Sequence, residues 1–166
     1  MRPGHGRAIQ LARESGAHVT ALVRDTAACH DLLRGLGAAE VVETITGDFD
    51  LIVEGVGGAT FGGAIEHLAP RGIVVNIATQ SDDETVTFRA TRCDRAKGAR
   101  IYTLNLFDEL AHPGAAAGDL ACLCRLMADG RLDGQIELEA TWREAPRALD
   151  ALLERRIGGK AVLHVD

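Results

Sequence analysis

Phe49-Asp50-Leu51-Ile52-Val53-Glu54-Gly55-Val56-Gly57-Gly58, followed by Gly72-Ile73-Val74-Val75-Asn76-Ile77-Ala78, is the stretch that decides the fold. Phe49 to Val53 is a short apolar run halted by glycines, which reads as a strand entering a tight turn. Ala59 to Leu68 has the length of a helix, Pro70-Arg71-Gly72 reads as a turn, and Ile73 to Ala78 reads as a second strand. Strand, helix and strand in that order make a βαβ unit, whose strands lie parallel. The unbroken apolar run at 72–78 fits a sheet covered on both faces.

The same rhythm extends outward. Upstream, Gly4-His5-Gly6 leads into a helix over Arg7 to Ser15, with Ala8, Leu11, Ala12 and Ser15 on one face and Gly16 as its stop. His18 to Val23 reads as a buried strand. Asp25 or Thr26 caps a second helix over Ala27 to Leu36, in which Cys29, Leu32, Leu33 and Leu36 fall at helical spacing before Gly37. Glu40 to Glu43 is a short strand. Downstream, Thr85 to Phe88 and Arg100 to Leu106 read as strands, and Asp119 to Ala128 as a helix closed by Asp129-Gly130. The chain ends on an alternating strand at Ile136 to Thr141, an amphipathic helix at Arg143 to Arg155 and a strand at Lys160 to Val165.

Composition narrows the class. With 166 residues, 46% hydrophobic and 25% charged, the chain is long enough to bury about 68–70% of its unfolded surface, which excludes disorder. Apolar runs fall far short of the roughly 20 residues that span a bilayer, and the expectation is a cytoplasmic protein without membrane contact. Eighteen basic residues against 24 acidic ones, a net charge of -6, argue against nucleic acid as a partner. Nineteen glycines beside four Phe, one Trp and one Tyr suit an α/β protein. Cys29, Cys93, Cys122 and Cys124 form neither a disulfide framework nor a zinc ribbon.

The order of the pieces resembles a known family. Gln10-Leu11-Ala12-Arg13, Gly16-Ala17-His18-Val19, Leu33-Arg34-Gly35-Leu36-Gly37-Ala38 with Val41-Val42, and the 49–58 stretch are similar to the cofactor half of medium-chain dehydrogenases and reductases. The likeness is strongest to the quinone oxidoreductase and zinc-type alcohol dehydrogenase branch. Gly130-Arg131-Leu132, Trp142 through Leu149 and Gly159 through Val165 are similar to that family's closing helix and strand. The resemblance implies an α/β fold with a Rossmann-like, doubly wound parallel sheet of strand order 3-2-1-4-5-6. It also implies that the sheet lacks its first strand, leaving two inner edges unpaired. Residues 1–130 would be a truncated NAD(P)-binding domain, and 131–166 a segment that returns to an absent substrate domain.

The resemblance carries functional residues with it. Gly4 and Gly6 precede the first helix, where backbone N–H groups approach a pyrophosphate, although a plain leader is the alternative reading. Arg24 follows the second family strand, where an arginine pairs with the 2'-phosphate of NADP; Asp25, one position on, would favour NAD. NADP is the expected cofactor, NAD the lesser alternative, and a simple surface arginine the third. Gly55, Val56 and Gly57, with Ala78 and Thr79 after the next strand, would pass along the nicotinamide; a tight strand-to-helix turn explains the glycines almost as well. Glu54 stands where the family has an acid and would cap or orient that turn. Asn105 and Phe107 would belong to a loop over the nicotinamide.

No zinc is expected. Cys122 and Cys124 lie two apart on a helix and face different ways, and six scattered histidines show no ligand spacing. No nucleophile stands beside a base, which suits a reaction whose hydride comes from the cofactor. The expected activity is NADP(H)-dependent reduction of a small-molecule quinone, enone or other carbonyl compound. A non-catalytic cofactor-binding module and a methyltransferase-like domain are the alternatives. The apolar edge at Arg100 to Leu106 predicts a homodimer.

Overall fold

In the computed structural model, residues 5–78, 81, 83–112, 114–154 and 156–165 are described. The chain divides into two compact units, one of Met1–Glu43 with Asp119–Asp166 and the other of Thr44–Gly118.

The first unit opens with α1 (His5–Glu14), β1 (Thr20–Leu22), α2 (Thr26–Leu36) and β2 (Glu40–Val42). β1 and β2 pair in parallel, Ala21 against Val41. Asp25 caps α2, its carboxylate accepting from the Ala28 N–H at 3.1 Å. Gly37 ends the helix at φ 110°, a left-handed conformation that glycine adopts without steric cost, and its N–H returns to the Arg34 carbonyl. The core is Leu33, wholly buried, with Ile9, Leu36 and Ala38, flanked by Val19, Ala21, Cys29 and Val41. Leu32, expected on this face, is exposed instead, because the stripe narrows to Cys29, Leu33 and Leu36.

The second unit holds β3 (Phe49–Glu54), α3 (Gly58–Glu66), β4 (Leu68–Asn76), α4 (Ala90–Cys93), β5 (Arg100–Thr103) and α5 (Leu106–Leu110). Its three strands are parallel in the order β3-β4-β5. Val74, also wholly buried, packs with Ala64, Ile65, Leu68 and Ala96 to form the core under α3. Among the described residues β1 pairs only with β2, and β3 only with β4.

Two sequence expectations change here. The Pro70-Arg71-Gly72 turn lies inside β4 rather than before it. Phe49 pairs with Leu68 but Leu51 already pairs with Ile73, so the strand bulges between them, with Arg71 at φ 66° and a Cβ on Gly72 crowding the Phe49 carbonyl oxygen at 2.8 Å. Thr85 to Phe88 is irregular and not a strand, since its backbone lies along α3 instead of beside another strand. A Cβ on Gly62 would overlap the Thr87 carbonyl oxygen, and the Arg89 N–H donates to Glu66 at 2.8 Å.

The helix α6 (Ala115–Ala128) leads from the second unit's stretch of chain into the first's. It is followed by β6 (Ile136–Thr141), a 3-10 turn at Trp142–Glu144, α7 (Ala145–Leu153) and β7 (Lys160–His164). β6 and β7 are parallel, Ala140 against Leu163. Thr141 and Glu144 form a capping box at the turn, and Glu144, bound by the Thr141 N–H and by Arg147, has its carboxyl held below the usual range. This closing segment is fastened to α1. The buried Gln10 carboxamide donates to the Asp133 carbonyl at 3.1 Å and accepts from the Asp133 N–H at 2.7 Å, Leu132 is buried, and Arg131 pairs with Glu14.

Candidate functional site

Parallel strands end together, so β3, β4 and β5 bring their carboxyl ends to one edge. Glu54, Asn76 and Thr103 are in-register partners there and form a row across the three strands. The row shares a face with Ile52 and Val74, the face against which α3 packs, because side chains two apart along a strand point the same way.

The glycine turn at this edge is organised by carboxylates. Glu54 is 4% exposed; its Oε1 accepts from the Val56 N–H at 2.6 Å and the Gly57 N–H at 2.9 Å. Gly57, at φ 85° and ψ -172°, is the N-cap of α3 and has no side chain to cap with. The next donor, the Gly58 N–H, goes to Glu84 Oε1, so a second carboxylate sits at the helix N-terminus, where the dipole favours negative charge. The segment bearing Glu84 is pinned at its other end by Arg89, whose guanidinium Nε donates to Glu66 at 2.8 Å and holds that carboxyl below its usual range. Between α3, this segment and the row lies a cavity of about 150 Å³ lined by Phe61, Asn76, Glu84, Val86 and Thr103.

The residues expected from sequence are divided between the two units. In the second, Gly55, Val56 and Gly57 form the turn, and Ala78 follows β4 at the same edge. Asn105 caps α5, its side-chain oxygen accepting from the Phe107 N–H at 3.0 Å, and Phe107 is 82% exposed. In the first unit, Arg24 is exposed just past β1, and the neighbouring Asp25 carboxylate is engaged in capping α2. Gly6 lies in the first turn of α1, where a Cβ would overlap the Gln135 side chain. Gly4 and Thr79 lie outside the described residues.

Sequence reasoning missed Asn76, Glu84 and Gln10. Asn76 left a signal, being the one polar residue within Ile73 to Ala78. Glu84 left none, since nothing local distinguishes it from other surface acids.

The donor set does not fit zinc. Among the described residues no three His, Cys, Asp or Glu side chains gather to hold a metal, and Cys122 and Cys124 are exposed. Among the described residues, no helix is long and apolar enough to cross a membrane.

Parallel strands joined by helices, with a glycine turn at their carboxyl edge, define an α/β protein of the Rossmann-like class. The sequence model of the family described as zinc-binding dehydrogenase matches residues 34–163, and the chain belongs to that family, within the medium-chain dehydrogenases and reductases. The family decides against the methyltransferase alternative. A mycobacterial quinone oxidoreductase is similar in structure, with a TM-score of 0.81, 20% identity, and 95% of this chain and 52% of that one covered. A Bacillus subtilis protein with NAD bound gives a TM-score of 0.72 at 19% identity, covering 97% and 51%. A mycobacterial protein complexed with NADPH gives 0.71 at 20%, covering 93% and 52%. At these identities the likeness is one of fold. The chain spans about half the length of these solved structures. No curated protein sequence matches it.

Proposed function

We propose that this chain is the nicotinamide-nucleotide-holding half of an oxidoreductase that reduces a quinone, an enone or a related carbonyl compound. The observation that carries the reading is the family match over 34–163, which includes the glycine turn at the carboxyl edge of β3, β4 and β5. A bound nicotinamide supplies the hydride; the chain's own residues bind, orient and exclude water. The turn fits one part of such a cofactor and not another. Its amides at 56–58 are taken by Glu54 and Glu84, so these three donors are not offered to a phosphate. Residues 131–166, by this reading, lead back toward a substrate domain. Four free thiols suit a reducing cytoplasm.

Arg24 favours NADP over NAD, because Asp25, the residue that would bind ribose hydroxyls, is committed to the α2 cap. Arg24→Ala is expected to weaken NADPH binding about 10- to 100-fold, the worth of a charge-assisted bond, and to leave NADH nearly unchanged. Fluorescence titration with both cofactors checks this, and equal losses would remove the assignment. The same titration followed by a quinone-reduction assay tests the larger reading. Binding without turnover would identify a holding module, and failure to bind either cofactor would overturn the proposal.

The dimer reading rests on β5 and the residues just past it. Ile101, Leu104, Leu106 and Phe107 are all exposed on or beside an edge strand. Such an edge is a template for pairing with a second copy. Sedimentation at micromolar concentration is expected to return twice the 17.6 kDa chain mass, and the mass of a single chain would refute it.

A further inference from the structure

The second unit holds another cavity, at the end of its sheet away from the glycine turn. It has a volume of about 270 Å³ and lies where β4 and β5 begin, beside Leu68 and Ile101. Its floor is the core itself: Ile65 and Leu68 are buried, and Cys93 of α4 packs against their cluster. Phe88 and Ile101 wall it and remain 40% and 53% exposed, so large apolar side chains border a hollow that the described residues leave open. The chain around this hollow is basic in an acidic protein. Five of the 18 basic residues but one of the 24 acidic ones fall between Arg89 and Arg100, against a net charge of -6 for the whole chain. Among the described lining residues there is no acid, whereas Lys97 and Arg100 are both present. Alternation along β5 turns Arg100 away from the face of Ile101, which leaves the exposed Lys97 as the cation at the mouth. Glu66, next to Ile65 on α3, is bound by the Arg89 Nε–H at 2.8 Å and so does not cancel that charge. An apolar hollow under local positive charge is complementary to an anion with an apolar body. A cavity of about 150 Å³ takes up benzene, so this larger one has room for two fused rings.

We propose that this cavity binds a small aromatic carboxylate, its rings against Ile65, Leu68 and Phe88 and its carboxylate at Lys97. The site involves neither the glycine turn nor a nicotinamide nucleotide, so it stands or falls independently of the function proposed above.

The test uses the full chain and three probes of one shape: 2-naphthoate, the uncharged 2-naphthalenemethanol and the cationic 2-naphthylmethylammonium. Methyl resonances locate the binding. 2-Naphthoate is expected to shift those of Ile65, Leu68 and Ile101 through the ring current, while Leu33 in the other unit keeps its position. Titration is expected to rank the carboxylate about two- to fivefold tighter than the alcohol, the scale of an exposed charge pair, with the ammonium weakest. Lys97→Ala, at an exposed position where folding is not at stake, is expected to remove that advantage and to leave the alcohol unchanged. Equal affinity of the three probes, an unaltered ranking in Lys97→Ala, or shifts that miss Ile65 and Ile101 would overturn the proposal. A second copy of the chain is the other occupant to consider, since Ile101 also lies on the edge strand. A sedimenting dimer that takes up no 2-naphthoate would assign the hollow to that copy, and the ligand site would fall.

Discussion

Gly57→Ala is expected to destabilise the protein and to dismantle the turn at the carboxyl edge. At φ 85° and ψ -172° this residue occupies a region that L side chains scarcely enter, and forcing one there costs about 1–3 kcal/mol. The added Cβ would also overlap the Glu84 carboxylate. Displacing that carboxylate removes its bond to the Gly58 N–H, worth about 1 kcal/mol more. The Glu54 bonds to Val56 and Gly57 depend on the same backbone path, so the whole nest of amides should loosen together. Urea denaturation reads the stability loss. Proton exchange at the 56–58 amides reads the local one, and undiminished protection there would show that the turn does not need this conformation.

Leu33→Ala is expected to cost about 2–5 kcal/mol, the range for emptying a wholly buried leucine site. Leu33 joins Ile9 on α1 and Ala38 beyond α2 into one core, with Val19 and Val41 packed against it from the strands. Leu32→Ala serves as the comparison: its side chain is exposed and should cost little, although the two residues are adjacent. A thermal melt of both variants separates them, and equal shifts would contradict the burial.

Strand and helix positions were legible because their signals are local. The halt at Gly37, the cap at Asp25 and the apolar run at Phe49 to Val53 depend on residues within one or two turns, and all three appear where the sequence places them. Thr85 to Phe88 failed for the opposite reason. Its strand-like composition is overridden by long-range anchors, Glu84 to Gly58 and Arg89 to Glu66, that commit it to the surface of α3. Pro70-Arg71-Gly72 shows a subtler limit. The turn chemistry is right, but only pairing across the sheet makes it a bulge within β4 rather than a break before it.

The family likeness, the parallel βαβ order and the glycine turn were determined by sequence alone, since periodicity and glycine placement act between near neighbours. Tertiary structure alone decided which carboxylates claim the turn's amides and which residues line the cavity beside α3. Those depend on where Glu84, Thr103 and Phe61 arrive from distant parts of the chain, and hydrogen-bond geometry over such separations is set by packing, which no local pattern encodes.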